Sequence, residues 1–228
     1  MTDPVNPRRA YNGQGRQART TATRLAVTSA ARKLFAERGY AAATIEAISE
    51  ASGTPQATVY RLFGGKLGIL TALLDIAAVG DDEAIAMGDR PGVRDLLAHH
   101  DPREQLAGFA RLARQVMARL APIQRILLSA AGSDPQAAAL LAEHTRQRQT
   151  GQARIARALA KAGALRPGVT ERDAADVIHA LMSPEVYLLL TADRRWSPDR
   201  YQAWLADTLS QQLLGSAPKY PATASAHD

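Results

Sequence analysis

Cysteine is absent from the 228 residues. That absence removes disulfides, cysteine-ligated zinc and thiol nucleophiles from the available chemistry. It suits a reducing compartment, and a cytoplasmic location is expected. No apolar run approaches the roughly 18 residues of a membrane-spanning helix, so no membrane partner is expected. The first arginines have no apolar stretch behind them, so they do not read as a secretory leader. Alanine and arginine abound at the expense of isoleucine, lysine and asparagine, as high-GC coding produces.

Catalytic signatures are missing as well. Gly13, Gly15 and Ala18 imitate a dinucleotide fingerprint, but no strand precedes them for the tight turn to follow. Gly64-Gly65-Lys66 is no phosphate-binding loop, because position 60 is Tyr and Leu67 stands where Ser or Thr is needed. His99-His100-Asp101 is the nearest approach to a metal cluster. Adjacent histidines diverge on a helix, so a shared ion is not expected. The sequence therefore points to no cofactor, no metal and no enzyme.

Hydrophobic residues make up 46% of the chain, enough for a core, and the net charge is +6. All of that excess sits at one end. Residues 1–70 hold ten Lys and Arg against four acids, and the remainder balances at eighteen of each. A basic face can be mere solvation. Joined to the pattern described next, it is the electrostatic footprint of a phosphate backbone.

Residues Arg24 to Leu70 organise the chain. A first helix is expected from about Thr21 to Arg38, with Val27, Ala30, Ala31, Leu34 and Phe35 on one face. Gly39 ends it and Tyr40 packs back over that end. Thr44 is placed to cap a second helix, whose Glu46 suits the dipole and whose Ile45, Ile48 and Ala51 face inward. Gly53 supplies a tight turn. Pro55 opens a third helix, where Val59, Leu62 and Phe63 point to the core, while Gln56, Ala57, Thr58 and Arg61 point away. A short helix held at a sharp angle by its predecessor, with small polar residues at its start, fits the major groove of DNA. Arg61 can grip guanine and Gln56 adenine, each with two hydrogen bonds. Lys66 begins the next helix, where a phosphate is favoured.

This stretch resembles the DNA-binding domain of the tetracycline-repressor (TetR) family. The likeness rests on Ala30, Ala31, Leu34, Phe35, Glu37, Gly39 and Tyr40, then Thr44, Ile48, Ala51, Gly53, Thr58, Val59, Tyr60, Phe63, Lys66, Ile69 and Leu70. It departs at Ser49, Thr54, Pro55 and Gly64-Gly65. The resemblance implies a double-stranded operator as partner. It also implies that Pro55, Gln56, Ala57, Thr58 and Arg61 read bases, and that Arg24, Thr44, Tyr60 and Lys66 meet phosphates.

The expected organisation is all-α: a mobile basic arm (1–20), a three-helix helix-turn-helix domain (21–67), a helical ligand-binding and dimerisation domain (68–215) and a disordered tail (216–228). Asp81, Asp82, Glu83, Gly88, Pro91 and Gly92 mark an irregular connection. A helix follows Pro102, and Pro122 is expected to restart the chain. A long helix runs from about Pro135 to Ala162, with Leu140, Leu141, Ile155 and Leu159 inward and five arginines, Arg146, Arg148, Arg154, Arg157 and nearby Arg166, mostly outward. The last two helices span about Glu171 to Thr191, kinked at Pro184, and Pro198 to Leu214. The resemblance implies that these two pair with a second copy as a four-helix bundle. The interface would use Val177, Leu181, Leu188, Tyr201, Trp204, Leu205 and Leu209. An effector pocket is placed among Phe109, Val116, Met117, Leu120, Ile126, Leu127, Met182 and Tyr187, whose apolar character suits an apolar or aromatic ligand. His144 and His179 lie on helices able to line a cavity, and a satisfied or exposed side chain is expected for each. The function expected is a homodimeric repressor released from a palindromic operator by that ligand. The alternatives are a DNA binder without an effector and, least favoured, a helical enzyme.

Overall fold

The computed structural model describes residues 7–79 and 91–215. Every regular element among them is helical: α1 Pro7–Ala42, α2 Ile45–Ser52, α3 Gln56–Phe63, α4 Lys66–Val79, α5 Pro91–Leu97, α6 Pro102–Ala131, α7 Pro135–Lys161, α8 Glu171–Leu181, α9 Pro184–Leu188 running into a π turn at Leu189–Asp193, and α10 Pro198–Leu213. No described helix is long and apolar enough to cross a membrane. The chain divides into two bodies. The first is Met1–Ala77 with Pro122–Ala142; the second is Ala78–Ala121 with Glu143–Asp228. The first body therefore takes in α4 and the turn between α6 and α7 as well as the first three helices.

In the first body α1, α2 and α3 close around Val27, Ala31, Leu34, Phe35, Ile48 and Val59, all buried. Gly39 leaves the helical region at φ 80°, and the Tyr40 ring returns to lie 5.3 Å from that of Phe35. Thr44 caps α2 by accepting from the Ala47 amide at 3.1 Å. Gly53 takes the left-handed conformation at φ 63°. Its amide and that of Thr54 return to the carbonyls of Glu50 and Ser49, which closes α2 and starts the turn. The Ser49 hydroxyl completes the tie by donating to the Thr54 carbonyl at 2.7 Å. Ala51, expected inward, is exposed.

The end of α3 is held from three sides. Gly64, at φ 73°, returns its amide to the Tyr60 carbonyl at 2.7 Å. Arg24 of α1 donates to the Leu62 carbonyl at 3.2 Å, and its guanidinium lies 4.7 Å from the centre of the Phe63 ring. Gly68 in α4 passes so close that a Cβ there would lie 1.7 Å from the Phe63 carbonyl oxygen.

Several boundaries differ from the sequence reading. The segment expected as an arm is helical from Pro7. Proline suits a first helical turn, and the Arg, Gln and Ala that follow are good helix formers. Residues 1–6 lie outside the described residues, as do the expected tail and Asp81, Asp82, Glu83 and Gly88 of the expected connection. Pro91 and Gly92 open α5 instead of continuing a loop. Pro122 does not restart the chain, because α6 runs through it. Pro122 and Ala118, four residues earlier, are both exposed, so water can take the orphaned carbonyl. Pro184 does more than kink. It is the first residue of a new helix whose cap, Ser183, accepts from the Val186 amide at 3.2 Å.

In the second body α8 is opened by a reciprocal cap: the Asp173 amide donates to the Thr170 hydroxyl and the Thr170 amide to the Asp173 carboxylate. Tyr201, Leu205, Leu209 and Leu213 of α10 are wholly buried. The Tyr201 ring meets that of Tyr187 edge-on at 4.9 Å, yet its hydroxyl has no hydrogen-bond partner. Burial, with Tyr187 nearby, pushes that phenol far above its usual range.

Two substitutions test this packing. Gly68→Ala forces a methyl into the Phe63 carbonyl, and chemical denaturation should show a loss of ~3 kcal/mol or more. Tyr201→Phe removes a buried hydroxyl that satisfies nothing. Its melting temperature should be unchanged or higher, with a gain of up to ~1 kcal/mol.

Candidate nucleic-acid interface

The sequence-predicted reading surface is assembled on α3. Gln56, Ala57 and Arg61 are exposed, Tyr60 is 52% exposed and Thr58 is half-buried, while Val59 on the opposite side is wholly buried. That single anchor sets the rotation of α3, and the eight-residue helix has no room to turn independently of it. Pro55 sits at the N-cap position, one residue before the first helical turn. Its carbonyl accepts from the Thr58 and Val59 amides at 2.8 and 3.1 Å, but it offers no side-chain cap. The first amides of α3 are thus left open at an exposed, positively polarised end.

The four expected phosphate residues are brought to the same body. Thr44 is exposed, and capping uses only its acceptor, so its hydroxyl proton remains to donate. Arg24 and Lys66 have an additional task that the sequence did not reveal. Lys66 donates to the Tyr40 carbonyl at 2.7 Å and the Ala41 carbonyl at 3.2 Å, and its ammonium lies 4.6 Å from the centre of the Tyr40 ring. Two of its three donors are committed to the end of α1, and one remains. Partial burial lowers its pKa, an effect opposed by the Asp134 carboxylate. Arg24 similarly serves the end of α3 with part of its five-donor fork. Its charge also opposes the upward push that burial gives the Asp75 carboxyl.

Ser49 stood out in the sequence only as a departure from the family pattern, and Gly68 did not stand out. The first ties the turn and the second admits α4 against α3. A helical glycine in an otherwise apolar stretch is the one signal that pointed to Gly68.

The expected pocket and dimer residues divide differently. Phe109, Val116, Met117, Leu120, Met182 and Tyr187 are buried in the second body. Leu127, buried, and Ile126, half-buried, belong to the first. Tyr201, Leu205 and Leu209 are covered within the single chain, so their packing is intramolecular. Val177, Leu181, Leu188 and Trp204 are half-buried, and Leu189 beside them is 51% exposed. Arg148, expected outward, is half-buried, and Leu140 and Leu141, expected inward, are only half-buried. His99 accepts from the Asp101 amide at 3.2 Å, and Asp101 accepts from the Arg103 amide at 2.8 Å, so both belong to a turn. No group of metal-ligating side chains occurs among the described residues.

Residues 27–73 match the family described as Bacterial regulatory proteins, tetR family. No curated protein matches the sequence. Among solved structures the chain is similar to SmeT in complex with triclosan, at 19% identity and a TM-score of 0.67, over 90% of this chain and 98% of that one. It is similar to NalD, the secondary repressor of the MexAB-OprM multidrug efflux pump in Pseudomonas aeruginosa, at 21% identity and 0.63, over 84% and 95%. FadR from Bacillus subtilis, in complex with stearoyl-CoA, aligns at 17% identity and 0.63, over 81% and 96%. The solved structures establish the fold, and the matched segment coincides with the helices that build the exposed face of α3. Residues 27–73 thus carry the pattern of the tetR family of bacterial regulatory proteins, on a fold that the chain shares with these solved structures.

Proposed function

We propose that the protein is a homodimeric repressor that leaves a palindromic operator when a small molecule binds its second body. The observation that carries the DNA half of this reading is the exposed face of α3. Gln56, Ala57 and Arg61 face solvent while Val59 locks the helix from behind. In this reading Pro55, Gln56, Ala57, Thr58 and Arg61 meet base edges, and Arg24, Thr44, Tyr60 and Lys66 meet phosphates. The open amides at the start of α3 add a further phosphate site. One such helix reads only a few base pairs. A two-fold partner doubles the site and requires the two helices about 34–36 Å apart, one turn of DNA. The half-buried apolar residues Val177, Leu181, Leu188 and Trp204, with exposed Leu189, supply the pairing surface.

The effector half draws support from relatives. NalD is described as a repressor, and SmeT and FadR of Bacillus subtilis were solved with triclosan and stearoyl-CoA. The buried apolar set Phe109, Val116, Met117, Leu120, Met182 and Tyr187 suits an apolar body in the same way. The protein acts without chemistry of its own, in the compartment that holds the DNA.

The reading is tested by electrophoretic shift against the DNA flanking the gene. Binding should fall steeply with salt, because released counterions drive it. Arg61→Ala should cost ~1–3 kcal/mol and relax base preference at one position of each half-site, with the melting temperature unchanged. Binding that ignores salt, or an Arg61→Ala protein with full affinity and selectivity, overturns the assignment. Sedimentation should give a dimer that Leu189→Glu weakens; a wild-type monomer at working concentration removes the two-fold reading.

A further inference from the structure

The inner face of α7 carries a polar interruption that the fold does not explain. His144, Arg148 and Gln152 follow one another at four-residue steps, and Ile155 and Leu159 continue the same face, both buried. Gln152 is only 4% exposed, and Arg148 and His144 are half-buried. The Gln152 carbonyl oxygen lies 2.7 Å from Nδ1 of His179 on α8. His179 Nε2 lies 3.5 Å from Nη2 of Arg148. Beyond that chain of contacts the hydrogen bonds run out. Nε and Nη1 of Arg148, Nε2 of Gln152 and Nε2 of His144 are all buried and have no partner.

Three of these four atoms share one chemistry, while Nε2 of His144 can take either role according to its tautomer. The guanidinium and amide nitrogens can only donate. What is missing is therefore an acceptor, and a charged guanidinium makes an anion the fitting one. The charge balance favours a monoanion. Both histidines are pushed toward the neutral form, mainly by burial and then by Arg148, and Glu185 on α9 offsets part of the Arg148 charge from an exposed position. The other unpartnered polar pair in this body has no such demand: Arg114 already holds Asp199 at 3.0 Å, and the Tyr201 hydroxyl carries no charge. A partner copy is a poor occupant, because Gln152 is already covered within the single chain.

We propose that His144, Arg148, Gln152 and His179 form the head-group site of a small organic acid, with the carboxylate on Arg148 and Gln152 and the apolar body along Ile155 and Leu159. This rests on the effector reading above and gives its ligand a chemical class: an amphipathic monocarboxylate.

The test uses the full-length protein with octanoate and benzoate as probes, against octanol and benzyl alcohol as uncharged counterparts. Calorimetric titration should show at least one acid binding more tightly than its alcohol. Arg148→Met should weaken the acid about ten- to hundredfold, the worth of a charged hydrogen bond, and leave the alcohol unchanged. Should Arg148→Met fail to fold, Gln152→Leu serves, with the same loss expected. A bound carboxylate relieves the penalty on protonating His144 and His179, which otherwise face the Arg148 charge, with Glu185 and Asp176 acting on His179 in the opposite sense. Acid affinity should therefore rise as the pH falls from about 7.5 to 5.5, through the range where histidine gains its proton. The histidine resonances should titrate at higher pH when the acid is present. Equal binding of acid and alcohol, affinity untouched in both variants, or no binding of either acid overturns the proposal. So does a melting temperature that rises with protein concentration while the acids compete with self-association, since the occupant is then a second copy. Operator binding is read in parallel. Acid that binds through Arg148 without releasing DNA upholds the site and removes the effector reading. DNA release by a ligand indifferent to Arg148 does the reverse.

Discussion

The fixing of α3 at its C-terminal end is the constraint on which the reading surface depends. An eight-residue helix has little stability of its own, since nucleation costs more than so few bonds return. Val59 sets its rotation from below, but a single buried side chain cannot stop it from tilting. Gly64 turns the chain back, Arg24 reaches from α1 to the Leu62 carbonyl, and Gly68 lets α4 press against Phe63. These contacts come from three different parts of the first body. The exposed positions of Gln56 and Arg61 are thus a property of the packed unit. The same economy appears at α1, whose last carbonyls are met by Lys66 from the start of α4. Arg24 and Lys66 are cations that close helix ends and also stand where phosphate is expected. Removing either acts on the scaffold, whatever it does to the DNA.

This part of the molecule was legible because its signals are local. Thr44 caps, Gly53 turns, and the three- and four-residue spacing of Val27, Ala31, Leu34 and Phe35 marks a face; each can be read within a few residues and each is where it was expected. The face of α3 followed from the same period. Ser49 and Gly68 were not legible, since what they do depends on a neighbour distant in the fold or on a backbone that passes close by.

The two prolines show why boundaries were harder. Pro122 and Pro184 look alike in sequence, each at the edge of an apolar run. At Pro184 the preceding residue is Ser183, which can cap a new helix, and the chain breaks there. At Pro122 the preceding residue is a buried alanine with nothing to offer an amide, and the helix continues with its lost bond turned to solvent. Proline alone does not end a helix. It does so when its neighbour can satisfy the amides that a new start exposes. The helical beginning of α1 follows the same logic in reverse. Pro7 stands where its missing amide has no intrahelical use, and the residues after it are mostly strong helix formers that outweigh Gly13 and Gly15.

Arg148 shows a different kind of illegibility. Its place in the period of α7 is the same as that of Ile155 and Leu159, and counting turns alone puts it inside. Residue type argued for solvent, because a guanidinium is seldom buried without a partner. The two signals conflict, and the fold obeyed the period. Such a conflict carries information. A chain that needed only a core at that face would place leucine there, and burying a charge with two unmet donors costs several kcal/mol, on the order of a sizeable part of a domain's stability. His144 and the buried Gln152 share that face, and His179 meets it from α8, so the polar character is not confined to one residue. An acceptor at those donors would offset that cost. Where local pattern and residue chemistry disagree inside a helical body, a functional or strained site is the expected cause, and the proposed acid site is one such cause.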